Sequence, residues 1–334
     1  MTQRRLEAPH RRLESGSRLF ERAVVVAYKG AATVLAHVPP RLSQWVIATG
    51  SQASYLLWPA KRRFSNINFS HVLGLPNGHP KVRALALRAY REYAKYVVEL
   101  MRLPSRPADE LASAVLTPGL DELVGMWRDS GGPVIVVAGH VGNNEAAAAG
   151  IAGRGIPVSV VADDSSFPEL FDLLRRQRES WGVKVVPWRN LRGLFAVLRN
   201  NEVLALLVDW GYRPDGVPVR LFDAWTTLPA GPATLAAKTG ALILPITIRR
   251  QPHGRFRMEG GEPIRVASSA PADIQRATQA IAHALEDTIR PAPEQWYSFK
   301  PCWPTDPATG PELEARAATM LAGSPDPGPS GSRP

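Results

Sequence analysis

Apolar and polar positions follow two different rhythms along this chain. Over residues 18–38, 42–58 and 81–101 apolar residues recur every three or four positions, which predicts three amphipathic helices. In the first, Arg18, Arg22, Lys29, Thr33 and His37 share one stripe and the rest is largely apolar. In the third, Val82, Leu85, Ala89, Tyr93 and Leu100 mark the buried face, and its tyrosines read as core. Pro104 and Pro107 close that region. From about Leu111 short unbroken apolar runs alternate with helical stretches. The runs at 134–138, 158–162, 183–186, 203–208, 243–248 and 255–259 predict strands, and 120–129, 144–152, 168–180, 191–200, 231–239 and 272–289 predict helices.

This alternation predicts an α/β fold: a mixed, mostly parallel central sheet with helices on both faces, preceded by an N-terminal helical region. Four regions are expected. They are a mobile basic N-terminus (1–16), a helical membrane-proximal region (17–110), an α/β domain (111–305), and a helix remnant with a disordered tail rich in Pro, Gly and Ser (306–334). No internal repeat of fixed period is present.

Composition narrows the partners. The chain has 334 residues, 45% hydrophobic, and a formal net charge of +10. Such a surplus favours an anionic partner: nucleic acid, a phospholipid surface or an acidic substrate. The excess of Arg over Lys also reflects GC-rich coding. The single cysteine, Cys302, excludes a disulfide within the chain and a cysteine-rich metal site. No run reaches the roughly 20 apolar residues of a spanning helix. The best stretch, 23–38, is broken by Lys29 and is a poor signal peptide. Trp58 followed by Lys61-Arg62-Arg63 has the aromatic and basic character of a membrane interface. The same helices can equally bury themselves against the main domain, and both readings can hold together.

Candidate chemistry gathers at Gly139-His140-Val141-Gly142-Asn143-Asn144-Glu145, between the strand 134–138 and the helix 144–152. In open α/β sheets ligands collect at the carboxyl ends of strands. A histidine there, oriented by a carboxylate, can take a proton from a hydroxyl. Glu145 is one candidate partner, unless His140 and Glu145 merely cap the helix. Asp209, directly after the apolar run 203–208, is another: if the two strands are parallel neighbours, both residues emerge on one edge. Asp209 also fits a turn aspartate opening the loop 210–216. A catalytic metal is not expected, since His-Glu-x-x-His is absent, and no Gly-x-Ser-x-Gly elbow follows a strand. Arg175, Arg176 and Arg178, then Arg189 and Arg192, and Arg213 beside Asp209 are candidate clamps for phosphate or a phosphopantetheine arm, or simply solvated faces.

These residues resemble the lysophospholipid acyltransferase superfamily, in particular its lipid A lauroyl/myristoyl and phosphatidylinositol mannoside acyltransferase branch. His140-x4-Glu145 is similar to the family's His-x4-Asp/Glu signature. Arg62 to Phe69 with Asn66 and Asn68, Leu206-Leu207-Val208-Asp209, Val217 to Phe222, Gly231 to Pro245, and Pro293-Glu294-Gln295-Trp296-Tyr297 resemble further stretches in the same order. The likeness runs from about Lys61 to Trp303. Asp223 stands where the family often has Gly, and Ser298-Phe299-Lys300 replaces the usual Trp-x-His-Arg; both departures bear on the acceptor more than on the reaction.

The resemblance implies acyl transfer from acyl-CoA or acyl carrier protein to a hydroxyl of a lipid or glycolipid, directly and with neither metal nor cofactor. His140 would be the base, with Glu145 or Asp209 as its partner; the mannoside enzymes favour Asp209. Backbone amides after His140, with Asn143 or Asn144, would hold the oxyanion, and Arg175, Arg178 and Arg213 would contact substrate. Anionic inner-membrane lipids would hold the enzyme at the cytoplasmic face of the cell membrane, as a peripheral or monotopic protein. Two other readings compete. A glycosyltransferase on a membrane lipid lacks a clear Gly-rich nucleotide loop. A non-catalytic basic module for membrane or nucleic acid would gather its cations into one stripe, whereas here they are spread over helices, so nucleic acid is not an expected partner.

Overall fold

The computed structural model describes residues 7–117, 125, 132–163 and 168–323. The helix expected over 120–129 therefore lies almost wholly outside the described residues, as do residues 1–6 and the tail from residue 324.

Four helices come first: α1 (Glu7–His37), α2 (Pro40–Leu57), α3 (Pro59–Leu73) and α4 (Pro80–Arg102). Proline opens α2, α3 and α4. At that position its missing N–H would be unpaired anyway, and its fixed φ already suits a helix. α1 begins well ahead of Arg18, and α3 lies where no helix was expected. The buried positions of α3 are Ser65, Asn68, Phe69 and Val72, so half of its inward face is polar and no apolar stripe marks it. Arg102 donates to the carbonyl oxygens of Leu35 and Val38, placing a cation at the C-terminal end of α1 and tying it to α4.

The chain then builds the sheet through α5 (Ala108–Ala114), β1 (Val115–Leu116), β2 (Val134–Ala138), α6 (Asn144–Ala152), β3 (Val158–Ala162), α7 (Pro168–Glu179), β4 (Val183–Pro187), α8 (Leu191–Arg199) and β5 (Val203–Leu207). An antiparallel hairpin follows, β6 (Val217–Leu221) and β7 (Ala224–Leu228). Last come α9 (Gly231–Thr239), β8 (Leu242–Arg250), β9 (Phe256–Gly260), α10 (Pro271–Ile289) and α11 (Thr309–Ala322). Among the described residues the main sheet has the order β1-β9-β8-β2-β5-β3-β4. All its neighbours are parallel except β8 and β9.

Strand alternation sorts the core into two layers. Val134 and Val136 of β2 join Val203, Val158 and Leu244 against Ala146, Ala149 and Ile151 of α6. Ile135 and Val137 face the other way, with Leu204 and Ile243, against α4, α8 and α10. The small side chains of α6 let that helix lie close to the sheet. The hairpin turn holds Phe222 at φ 48° and Asp223 at φ 60°. Both central residues of such a turn need positive φ, which Asp tolerates better than most residues and Gly best of all.

No helix among the described residues is long and apolar enough to cross a membrane. Val26 and Val34 of α1, Leu42, Trp45, Val46, Leu56 and Leu57 of α2, and Trp58 are nonetheless exposed.

Candidate active site

The pairing of β2 with β5 creates the site. Their register runs from Val134 opposite Val203 to Ala138 opposite Leu207. Continued by two residues, it sets His140 opposite Asp209. The Asp209 carboxylate is buried and receives three N–H groups. His140 Nδ1 lies 2.6 Å from Oδ1, while the His140 backbone N–H and the Trp296 indole N–H each reach Oδ2 at 2.8 Å. Burial alone would raise the Asp209 pKa; His140 and these bonds outweigh it and hold the carboxyl below its ordinary range. Burial alone would lower the His140 pKa; the Asp209 charge and hydrogen bond override it, Lys300 opposes them weakly, and the net shift is upward. With Asp209 ionised, Nδ1 carries the proton. Nε2 then has a free lone pair and no partner among the described residues, and the His140 side chain remains 28% exposed.

Backbone contacts fix the loop that carries His140. Gly139 allows Asp209 its approach, since a Cβ there would sit 3.1 Å from Oδ2 and 3.2 Å from Leu285 Cδ2. Gly142 is obligatory: its φ is +64°, and a Cβ would fall 1.9 Å from the Ile248 carbonyl oxygen. The segment Gln295–Tyr297 runs antiparallel to this loop. Gly142 N–H donates to Gln295 O at 3.0 Å and Tyr297 N–H to His140 O at 2.8 Å. Pro293-Glu294-Gln295-Trp296 thus closes the site from behind, and Trp296 is wholly buried.

The other anticipated residues fall into place as follows. Glu145 does not touch His140. It accepts a two-pronged ion pair from Arg178, with Nε–Oε2 at 2.9 Å and Nη2–Oε1 at 2.5 Å, which ties the start of α6 to α7. Arg178 is thereby committed to Glu145. Asn143, fully buried, caps α6: its Oδ1 accepts from Ala146 N–H and its Nδ2 donates to Glu99, both at 3.0 Å. Asn144 Nδ2 donates to Gly139 O at 3.0 Å. Both amides therefore brace the loop. Arg175 pairs with Asp172 and Glu179 on its own exposed helix face, and Arg213 pairs with Asp215. Only Asp209, of the two carboxylates considered, meets His140.

Several residues at the site carried no sequence signal beyond a motif likeness. Trp210 follows Asp209, and its ring centre is 5.5 Å from that of His140. Lys300 Nζ lies 3.7 Å above the Trp210 ring. Asn68, fully buried in α3, holds the segment bearing Lys300. Its Nδ2 donates to Ser298 O at 3.0 Å and Lys300 O at 2.7 Å, and its Oδ1 accepts from Cys302 N–H at 3.1 Å. Arg250 bridges Glu92 and Glu99 of α4, and Glu99 also receives Asn143, so α4 is wired to the loop of His140. These residues are far apart in sequence and polar, and only the tertiary fold reveals them. Burial pushes the Cys302 thiol up to about 12, which keeps it protonated.

An imidazole with one nitrogen tied to a buried carboxylate and the other open can deprotonate an alcohol at an exposed edge. A family model described as bacterial lipid A biosynthesis acyltransferase matches residues 14–305. A phosphatidylinositol mannoside acyltransferase of Mycobacterium tuberculosis (strain CDC 1551 / Oshkosh) is 29% identical over 246 residues, 72% of this chain and 76% of that protein. The protein of the same description from strain ATCC 25618 / H37Rv aligns equally. One from Mycolicibacterium smegmatis is 27% identical over 291 residues, 84% of this chain and 91% of its own length.

Proposed function

Because the chain belongs to the bacterial lipid A biosynthesis acyltransferase family and is an acyltransferase acting on a lipid or glycolipid, we propose that it moves a fatty acyl chain from an acyl thioester to a hydroxyl of a phosphatidylinositol mannoside-type acceptor, with His140 as general base. The donor is acyl-CoA or acyl carrier protein. His140 Nε2 takes the hydroxyl proton as the oxygen attacks the thioester carbonyl. Asp209 stabilises the imidazolium that forms. The tetrahedral oxyanion is met by the positive end of α6, through first-turn N–H groups other than that of Ala146, which Asn143 caps. Its collapse expels the thiolate, which regains a proton from the imidazolium, so the enzyme returns to its starting state without a covalent intermediate.

The observation that carries this reading is the His140–Asp209 pair at 2.6 Å, with Nε2 turned to no partner among the described residues. The exposed apolar faces of α1 and α2, ending in Trp58 and the Lys61-Arg62-Arg63 cluster, support docking on an anionic bilayer at its cytoplasmic face. Transfer from radiolabelled acyl-CoA to phosphatidylinositol mannoside in mixed micelles tests the mechanism. His140→Ala should lower the rate by at least about a hundredfold, the contribution of a general base, while the near-UV circular dichroism stays unchanged. Wild-type rates in that folded variant would refute it.

A further inference from the structure

Beside His140 lies a groove of about 420 Å³, lined among others by Trp210, Tyr212, Arg213, Lys300, Trp303 and Thr305. Its two walls are joined at the floor, where Tyr212 N–H donates to Pro301 O at 2.8 Å. Gly211, at φ +119°, makes that junction possible, since a Cβ there would meet the same oxygen at 3.1 Å. The volume is in the range of small-molecule sites. Its lining is aromatic and cationic, which suits an anionic, hydroxyl-bearing group and not a fatty tail.

The charges are arranged for an anion. Lys300 and Lys61 are both exposed, and neither has a carboxylate within ion-pair distance among the described residues. Partial burial lowers the Lys300 pKa first, repulsion from Lys61 lowers it further, and Asp163 only partly offsets them. Lys300 stands in the groove wall, where its ammonium can give a phosphate a charge-assisted hydrogen bond. Trp210 is 56% exposed; Lys300 covers one face of its ring, and the rest of the ring is open to the C–H face of a sugar. Lys300 rests on that ring, and the ring adjoins His140, so phosphate, sugar and reacting hydroxyl would lie in one line of contacts.

We infer that this groove is the subsite for the phosphorylated sugar headgroup of the acceptor, with Lys300 on its phosphate and Trp210 against a sugar ring. The inference rests on the glycolipid acyl transfer proposed above and specifies which part of the acceptor this groove recognises. A phosphate could also come from the donor, as in coenzyme A, so the test has two arms.

Isothermal titration calorimetry of the full chain with the deacylated headgroup of phosphatidylinositol mannoside reads the subsite without any acyl transfer. The same titration with coenzyme A reads the donor. Lys300→Ala should weaken headgroup binding about tenfold or more, as loss of one charge-assisted contact does. Coenzyme A binding should hold within about twofold, and Lys300→Arg should recover most of the loss. Trp210→Ala should weaken the headgroup by a similar factor. Unchanged headgroup affinity in Lys300→Ala, no headgroup binding by the wild type, or a loss confined to coenzyme A would each overturn the subsite. If the wild type acylates the intact lipid while any of these results is found, the subsite alone fails. If the wild type binds the headgroup in a Lys300-dependent way yet acylates no lipid acceptor, the acyl-transfer reading fails instead.

Discussion

Asp209 shows how much one carboxylate can organise when three N–H groups converge on it. It sets the tautomer of His140, raises that group's pKa, and draws in Trp296 from the far end of the chain. A protonated imidazole cannot accept a proton, so the transfer rate should fall as pH drops through the His140 pKa. The raised value puts this acid limb above about 6.5, the ordinary histidine pKa. Asp209→Asn removes the charge that overrides burial. The acid limb should then move to lower pH, and the rate above it should fall by about ten-thousandfold through the wrong tautomer. A pH–rate profile from 5 to 9 checks both, and an unmoved limb would contradict the role given to Asp209. At this scale the sequence pointed to His140 through its place after an apolar run. It could not choose between Glu145 and Asp209, because five residues of separation look closer than 69, and only strand order decides.

Among the elements, α6, α7 and α3 do the bracing. The Glu145–Arg178 pair is largely shielded, with side chains 13% and 17% exposed, and it joins α6 to α7. Glu145→Gln leaves a shielded guanidinium without its counter-charge, which costs about 3 kcal/mol. Thermal melts should show the loss while the pH–rate profile keeps its shape, because Glu145 does not touch His140. A shifted acid limb in that variant would return Glu145 to the catalytic pair. Asn68→Ala strips three partners from the Ser298–Cys302 segment, at roughly 2–3 kcal/mol for the backbone groups left unpaired. Melting temperature should fall, and amide hydrogen exchange at residues 298–302 should accelerate above that of the rest of the chain. α3 and the β6–β7 hairpin escaped the pattern reading for related reasons. α3 buries Ser65 and Asn68 as well as Phe69, and β6 carries a proline within its run, which argues against a strand unless the sheet is small. The core strands were legible because burial on both faces requires unbroken Val, Ile and Leu.

For the molecule as a whole, surface chemistry should determine where the enzyme works. Trp45, Leu57 and Trp58 are exposed beside a basic cluster, and the chain carries a net +10. In sedimentation with vesicles containing phosphatidylglycerol, Trp45→Ser/Leu57→Ser/Trp58→Ser should lower binding by at least about tenfold, given roughly 1.5–3 kcal/mol for each large apolar side chain fully buried. Raising the salt should weaken what remains. Equal binding by wild type and variant would remove this face from the interface. The alternating pattern made the α/β architecture readable from the chain alone, whereas the groove beside Trp210 was not readable, since it is built from two loops nearly ninety residues apart that meet only in the fold.

The position of Trp296 has a consequence for biosynthesis. The last donor to the reactive carboxylate emerges from the ribosome only after almost every other element has been made. A translation product that stops short of it can carry the imidazole and its partner strand, yet lacks the indole that completes the cluster. Activity should therefore arrive late in synthesis, and prematurely terminated chains should transfer no acyl group.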